Sequence, residues 1–204
     1  MTFEFKNPTE VNALRLKNIV GTDDLRPAMA GVFIDFVNSC LVGTDAHIIF
    51  TYPIDIVVKE TEDRGRIVPI SYFDTRRYMQ AIPPPSKRLF IDNVQAELEY
   101  KLSDEFAEVY WLGELVYRCR YIDEKYPAYE GIMLVEAACQ PVDKIGINTR
   151  LMKRLCDAFP PTITGTAKMI LFSPNRGIVF KSEERYGNEN HPIIGILMPV
   201  MLND

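Results

Sequence analysis

Asp45 and His47 are the residues whose types and spacing suggest chemistry most directly. They stand two apart in the segment Thr44-Asp45-Ala46-His47, and positions two apart in a strand share a face. An acidic residue beside a histidine can form a catalytic pair or contribute metal ligands. The sequence supplies no third ligand or nucleophile at a suitable spacing. The pattern therefore favours a turn that Asp45 and Thr44 fix through side-chain-to-backbone hydrogen bonds.

Signatures of enzymes and metal sites are missing elsewhere in the sequence. It contains no Walker A loop and no GxGxxG, HExxH or GxSxG motif, and Gly165-Thr166-Ala167 is too short for a phosphate loop. The four cysteines form no CxxC pair and are widely scattered: Cys40, Cys119, Cys139 and Cys156. This spacing argues against a zinc site or a disulfide framework and predicts reduced thiols. We therefore expect a non-enzymatic protein with no metal and no cofactor.

Basic residues concentrate on stretches that the sequence pattern predicts to be helical. They are Arg15, Lys17, Arg76, Arg77, Arg150, Lys153 and Arg154. These stretches are net positive, although the whole chain has a formal charge of −5. A locally positive surface is sufficient to bind phosphates. The alternative is that these are ordinary solvated helix faces, with ion pairs three or four residues apart.

Three segments share one organisation, a short strand followed by a helix and then by two or three strands. The predicted helices span residues 9–20, 71–82 and 148–159, each opened by a capping residue and closed by glycine or proline. The predicted strands span residues 2–5, 31–37, 40–43, 47–52, 54–58, 66–69, 88–91, 96–102, 108–112, 115–121, 144–147, 168–172, 177–181 and 193–198. The polar residues 183–191 are predicted to form a loop. The pattern predicts an α+β fold, with antiparallel sheets and helices on one face.

Composition is typical of a soluble globular protein. The chain has 204 residues, of which 47% are hydrophobic and 25% charged. It has no apolar stretch approaching the roughly 20 residues of a membrane-spanning helix, and it lacks the layout of a signal peptide at its start. We therefore expect a cytoplasmic protein that does not bind a membrane.

Four groups of residues occur in an order that identifies a resemblance. They are Arg26-Pro27 to Val32 with Thr44-Asp45-Ala46-His47, then Arg66-Ile67-Val68-Pro69, then residues 121–129, and last Leu197-Met198-Pro199-Val200-Met201-Leu202. This series resembles the family of bacterial DNA polymerase III β sliding clamps. In that family the corresponding motifs are an RP…G strand with a TDGH turn, a second-half opening strand, an ID-G-(F/Y)-P-D-Y segment and a terminal MPMRL.

The resemblance implies a DNA-clamp fold built from repeated βαβββ half-units. Residues 1–135 would form one complete domain of two half-units, and residues 136–204 would form one half-unit of a second domain. The family's N-terminal domain would be absent. Because family rings contain twelve half-units, three half-units per chain would require a homo-oligomer of four chains.

Two functional surfaces follow from the resemblance. The helices would line a central hole and face duplex DNA through the seven basic residues named above, without reading sequence. A cleft would bind short Leu- or Phe-anchored motifs of a DNA polymerase or another replication factor. Carried over from the family, its residues are Met29, Thr44, Ala46, His47, Ile48, Ile49, Pro127, Gly131, Ile132, Ile196, Met198, Pro199, Val200, Met201 and Leu202.

Departures from the family pattern concern the specificity of this cleft. Ala46 replaces the usual glycine, and Ile48, Gly131 and Met201 stand where the family often has arginine. Losing these cations weakens attraction for acidic peptides while leaving the cleft apolar. Two alternatives remain open. One is a clamp-like peptide-binding module that does not encircle DNA, for which a phage or a mobile element is a candidate source. The other is an enzyme using Asp45 and His47. For residues 198–202, a buried terminal strand also remains open as an alternative to a place in the cleft.

Overall fold

Strands dominate the computed structural model, which describes residues 2–3, 13–54, 63–74, 98–111, 113–133, 141–160, 166–182 and 192–201. The strands are β1 (Thr2–Phe3), β2 (Gly31–Asp35), β3 (Cys40–Thr44), β4 (Ile48–Pro53), β5 (Gly65–Pro69), β6 (Leu98–Leu102), β7 (Phe106–Trp111), β8 (Glu114–Arg120), β9 (Ala167–Ile170), β10 (Ile178–Ser182) and β11 (Ile194–Leu197). Among the described residues, the 3-10 helices are η1 (Leu14–Asn18), η2 (Pro27–Ala30) and η3 (Ile70–Phe73), and the α-helices are α1 (Glu130–Met133) and α2 (Thr149–Ala158).

The described strands form two sheets with antiparallel neighbours. One has four strands in the order β1-β6-β7-β8, and the other has seven in the order β5-β2-β3-β4-β11-β10-β9. Strands β9 to β11, near the end of the chain, extend the sheet formed by β2 to β5. The two groups join because β11 pairs with β4, with Ile196 opposite Ile49 and Leu197 opposite Ile48. Residues about 150 positions apart in the chain thus become neighbours.

The seven-stranded sheet is apolar on both faces. Val32 and Ile34 on β2 face the main core, together with Phe50 on β4 and Tyr100 on the second sheet. The intervening residue, Phe33, faces the other side, as the two-residue period of a strand requires. We call these the helix face and the outer face, because η1 and α2 pack on the first.

Helix α2 docks on the sheet at a glycine. Asn148 caps the helix, its side chain accepting hydrogen bonds from the backbone N–H groups of Arg150 and Leu151 at 3.0 and 3.2 Å. A Cβ atom at Gly195 of β11 would lie 2.7 Å from the Leu155 side chain. The absence of a side chain at this position therefore lets the helix approach β11 and bury Leu155.

The predicted α+β fold is confirmed, and each described strand longer than two residues overlaps a predicted one. The third predicted helix, 148–159, is confirmed as α2. Of the first, 9–20, residues 9–12 lie outside the described residues; Ala13 is helical and is followed by the 3-10 helix η1, after which the carbonyls of Asn18, Ile19 and Val20 accept hydrogen bonds from Arg154.

Other predictions differ or lie outside the described residues. The second predicted helix, 71–82, begins as η3, which ends at Phe73, and residues 75–97 lie outside the description, as does the predicted loop 183–191. The predicted strand 144–147 is reduced to a single bridge between Gly146 and Val200. The division at residues 135 and 136 falls within 134–140, also outside the described ranges, and stays a prediction.

Candidate functional site

The 44–47 turn joins β3 to β4 as the sequence predicts. The Asp45 Oδ1 atom accepts hydrogen bonds from the backbone N–H groups of His47 and Ile48 at 2.9 and 3.0 Å. The Thr44 hydroxyl donates to the Ile48 carbonyl at 2.8 Å and accepts from the Ala46 N–H at 3.1 Å. Ala46 occupies the left-handed region, with φ at 75°. Glycine adopts this conformation at lower cost than alanine.

The same geometry engages both carboxylate oxygens of Asp45 in contacts other than the His47 ring. One carboxylate oxygen of Asp45 holds backbone amides, and the other accepts a hydrogen bond from Arg154 Nη1 at 2.5 Å. The carboxylate is therefore committed to the turn and to helix α2. The described residues also contain no group of three His, Cys, Asp or Glu arranged to hold a metal ion.

An apolar surface lies beside the turn on the outer face. Ile49 and Ile196 are directly opposite each other and belong to the outer-face cluster. The Met198 N–H donates to the His47 carbonyl at 2.9 Å, which joins the end of β11 to the turn. Val200 and Met201 follow and are 47% and 72% exposed. Exposed apolar side chains in this position are suited to contact a partner.

The remaining predicted cleft residues are distributed more widely. Ile48 is fully buried on the helix face, because strand alternation turns it away from Ile49; its expected place in the cleft is therefore corrected. Met29 lies near the turn, its carbonyl accepting a hydrogen bond from the Gly21 N–H at 2.8 Å. Pro127 and Pro199 are partly buried, and Leu202 lies outside the described residues.

Gly131 and Ile132 belong to α1, which is held at the far end of β3 from the turn. The preceding Tyr129 donates a hydrogen bond to Asp35 at 2.7 Å, and Asp35 pairs with Cys40, the first residue of β3. Glu130 forms an ion pair with Arg64. These contacts do not bring Gly131 and Ile132 to the 44–47 turn.

A buried polar cluster that sequence reasoning missed fixes this far end. Asp35 is fully buried and accepts hydrogen bonds from the N–H groups of Val37 and Asn38 at 2.9 and 2.8 Å. The Tyr129 hydroxyl lies 3.5 Å from the Cys40 sulfur, and burial raises the pKa of that thiol to about 12. Burial likewise raises the pKa of Tyr129. The signal in the sequence was an aspartate at the end of an apolar strand, followed by Phe36-Val37-Asn38-Ser39, where the asparagine and serine are typical of a turn.

The predicted DNA-facing residues divide into engaged and exposed side chains. Arg15 donates to the Asp157 carbonyl at 3.1 Å, and Arg154 contacts Asp45 and the end of η1. Lys153 forms an ion pair with Asp157 at 2.6 Å and keeps a side chain that is 75% exposed. Lys17 and Arg150 are exposed, whereas Arg76 and Arg77 lie outside the described residues.

The structure also contains a cavity of about 800 Å³ between β5, the end of β8 and residues 121–127. Of the predicted cleft residues, only Pro127 lines it. Phe33, Ile67 and Tyr126 supply apolar walls. Its charged lining residues are four cations and four carboxylates: Arg64, Arg66, Arg120, Lys125, Asp104, Glu105, Asp123 and Glu124. These opposite charges offset one another, so the lining favours neither an anionic nor a cationic ligand.

In the described part of the chain, no helix is long and apolar enough to cross a membrane.

No protein-family model and no curated protein matches the sequence. Solved structures do match. The Helicobacter pylori beta clamp bound to a DNA ligase peptide is 13% identical, with a TM-score of 0.69 over 98% of this chain and 66% of that one. The beta subunit of Thermotoga maritima DNA polymerase III is 9% identical, with a TM-score of 0.67 over 100% and 66%. The beta subunit of Streptococcus pyogenes DNA polymerase is 14% identical, with a TM-score of 0.63 over 99% and 68%.

This chain therefore has the sliding-clamp fold, and the resemblance found in the sequence is confirmed at the level of the fold. The chain spans about two thirds of the length of these clamps.

Proposed function

We propose that this chain is a non-enzymatic, sliding-clamp-like processivity factor. It associates with duplex DNA through basic helices and tethers a DNA polymerase or another replication factor through an apolar peptide-binding cleft. One observation carries the proposal: β11 pairs with β4, so that α2 covers one face of the sheet while Ile49 and Ile196 meet on the other. The two proposed surfaces thus lie on opposite sides of one sheet.

The helix face supports binding without sequence specificity. Arg150, Lys153 and Lys17 are exposed on α2 and η1, two elements that pack against each other. Mobile cations of this kind contact phosphates and carry no base readout. Because Lys153 pairs with Asp157, it binds a phosphate only in competition with that carboxylate.

The outer face supports binding of a short peptide. Isoleucine, methionine and proline side chains gather beside the 44–47 turn, and Val200 and Met201 are exposed there. Methionine-rich apolar surfaces adapt to Leu or Phe anchors. A clamp of the same fold from Helicobacter pylori was solved with a DNA ligase peptide bound. Without the arginines usual in the family, this cleft would select peptides by apolar contact more than by charge.

The salt dependence of DNA binding tests the first half of the proposal. Affinity for a short labelled duplex is measured by fluorescence anisotropy across a series of salt concentrations, for the wild type and for Arg150→Ala. We expect the log–log slope to become shallower by about 0.9 for the lost phosphate contact.

The control for this measurement is Lys168→Ala on β9. Lys168 is exposed and lies on the outer face, since it shares a side with Ile170. It should leave the slope unchanged. Equal effects of the two variants would indicate nonspecific attraction to the whole surface, and undetectable binding at low salt would contradict the DNA-binding proposal.

A second candidate function is a clamp-fold peptide-binding module that does not encircle DNA. The pairing of Lys153 with Asp157 and the internal contacts of Arg15 and Arg154 favour it, because they leave fewer free cations on the helix face. It predicts peptide binding without DNA binding.

A further inference from the structure

Arg154 joins three parts of the molecule that are distant in sequence. It lies on α2, and its guanidinium donates from Nε to the Asn18 carbonyl at 2.7 Å and from Nη2 to the Ile19 and Val20 carbonyls at 3.0 and 3.5 Å. Its Nη1 atom donates to Asp45 Oδ2 at 2.5 Å. These contacts use all three nitrogen atoms of the side chain, and the fixed fork of an arginine suits such a junction.

Asp45 connects that junction to the turn. The oxygen that does not bind Arg154 accepts the N–H groups of His47 and Ile48. The Asp45 side chain is 11% exposed and the Arg154 side chain 37%, so the carboxylate is shielded from water although the guanidinium is only partly so. The turn conformation is thus fastened to α2 through one carboxylate.

The turn needs such a restraint because it contains a costly backbone conformation. Ala46 has a positive φ of 75°, which an alanine adopts only when its surroundings impose it. His47, the next residue, accepts the Met198 N–H through its carbonyl. A change in the turn would therefore be transmitted to Met198 and to the apolar surface that follows it.

We propose that Arg154 is a positioning residue that holds the 44–47 turn in its peptide-binding conformation, and that it is not a phosphate ligand. This inference deepens the proposed function and rests on it, because it assumes that the cleft binds a peptide. The effect of Arg154 on amide hydrogen exchange in the turn can be measured without that assumption. It also separates Arg154 from Arg150 and Lys153 on the same helix. Those two residues remain the proposed DNA contacts of α2.

The test combines three single variants with one double variant. Arg154→Ala removes the cation, and Asp45→Asn removes the charge while keeping an oxygen that accepts the turn amides. Lys153→Ala is the matched control, because it removes a cation from the same helix whose contact is to Asp157. Affinity is measured by anisotropy with a labelled peptide that contains a Leu-Phe pair.

We expect Arg154→Ala and Asp45→Asn each to weaken peptide binding about tenfold, and the double variant to be no weaker than Arg154→Ala, because both single variants remove the contact between Arg154 and Asp45. Lys153→Ala should bind peptide like the wild type. In the salt series, Lys153→Ala should lower the DNA slope and Arg154→Ala should not.

Amide hydrogen exchange at His47 and Ile48 gives a readout that does not require any ligand. Exchange should accelerate in Arg154→Ala and stay unchanged in Lys153→Ala, and Arg154→Lys should restore it only in part because lysine cannot form the fork. Unchanged exchange in Arg154→Ala would overturn the positioning role. Accelerated exchange without peptide binding in the wild type would instead contradict the proposed cleft and leave the positioning role supported.

Discussion

At the scale of single residues, the sequence and the structure differ most in what the polar side chains do. Arg154 reads in the sequence as one of several helix cations, and Asp45 as part of a turn. Only the fold brings them within 2.5 Å of each other. Residues 109 positions apart cannot be paired from periodicity, whereas the local hydrogen bonds of Thr44 and Asp45 follow from side-chain chemistry and were predicted.

Titration of the buried cluster beside Asp35 gives a prediction at this scale. Burial raises the pKa of Cys40 from its ordinary value of 9.0 to about 12, and it raises the pKa of Tyr126 and Tyr129 as well. Above pH 9.0 the unfolded chain releases the Cys40 proton while the folded chain keeps it. The stabilising contribution is therefore complete below this pH and is lost as the pH rises towards 12.

We expect the free energy of unfolding to fall by up to about 1.4 kcal/mol per pH unit for Cys40 alone in this window. Urea titrations at several pH values measure the slope in the wild type, in Cys40→Ala and in Val42→Ala. The last is the control, since Val42 is buried in the same cluster and carries no proton. Cys40→Ala should make the free energy of unfolding depend less steeply on pH. Val42→Ala should lower the free energy of unfolding at every pH but leave its slope against pH unchanged. Equal slopes in all three proteins would contradict the assignment.

At the scale of elements, the sequence predicted best those elements whose stabilising contacts lie within one segment of the chain. Asn148 and the apolar stripe of Leu151 and Leu155 determine α2 within their own segment, so its bounds were predicted closely. The docking of η1, at the end of the first predicted helix, against α2 through Arg154 depends on a contact between residues that are distant in sequence. The pairing of β4 with β11 likewise depends on long-range packing that alternation cannot specify.

The contact between Gly195 and α2 gives a prediction about how this helix docks on the sheet. Alanine at Gly195 would place a Cβ atom 2.7 Å from the Leu155 side chain and 3.3 Å from the Phe159 ring, so either these side chains or α2 itself would have to shift. We expect Gly195→Ala to lower the free energy of unfolding by about 1–3 kcal/mol. Thermal and urea unfolding followed by circular dichroism measure this change.

Gly131→Ala is the matched variant with the opposite expected sign. Gly131 lies in α1, and nothing approaches its Cβ position within 4 Å. Removing a helical glycine should therefore raise stability by about 0.5–1 kcal/mol. If both variants destabilised the protein equally, the close approach of α2 at Gly195 would not be the cause of the first effect.

At the scale of the whole molecule, the sheet edges decide what the chain can assemble into. Within the chain, β4 and β11 join two sheet segments edge to edge. Strands β8 and β9 stand at ends of their sheets, and the described residues supply no further strand beside either. Unpaired edges present N–H and C=O groups that another chain can pair with. The bulge in the β7–β8 ladder disfavours such pairing at β8 and makes β9 the better edge.

The mass in solution tests whether such pairing closes a ring. If each chain supplies three half-units, twelve require four chains, and the particle would weigh about 94 kDa, four times the chain mass of 23.4 kDa. We expect light scattering after size-exclusion chromatography to show this species, with its fraction rising with protein concentration. Met169→Lys on the exposed face of β9 should shift the population to smaller species, while Leu25→Lys, a residue that is 90% exposed in a loop, should not. A single chain mass at every concentration would contradict the self-assembled ring, and the peptide-binding module would then account better for the apolar surface beside the turn.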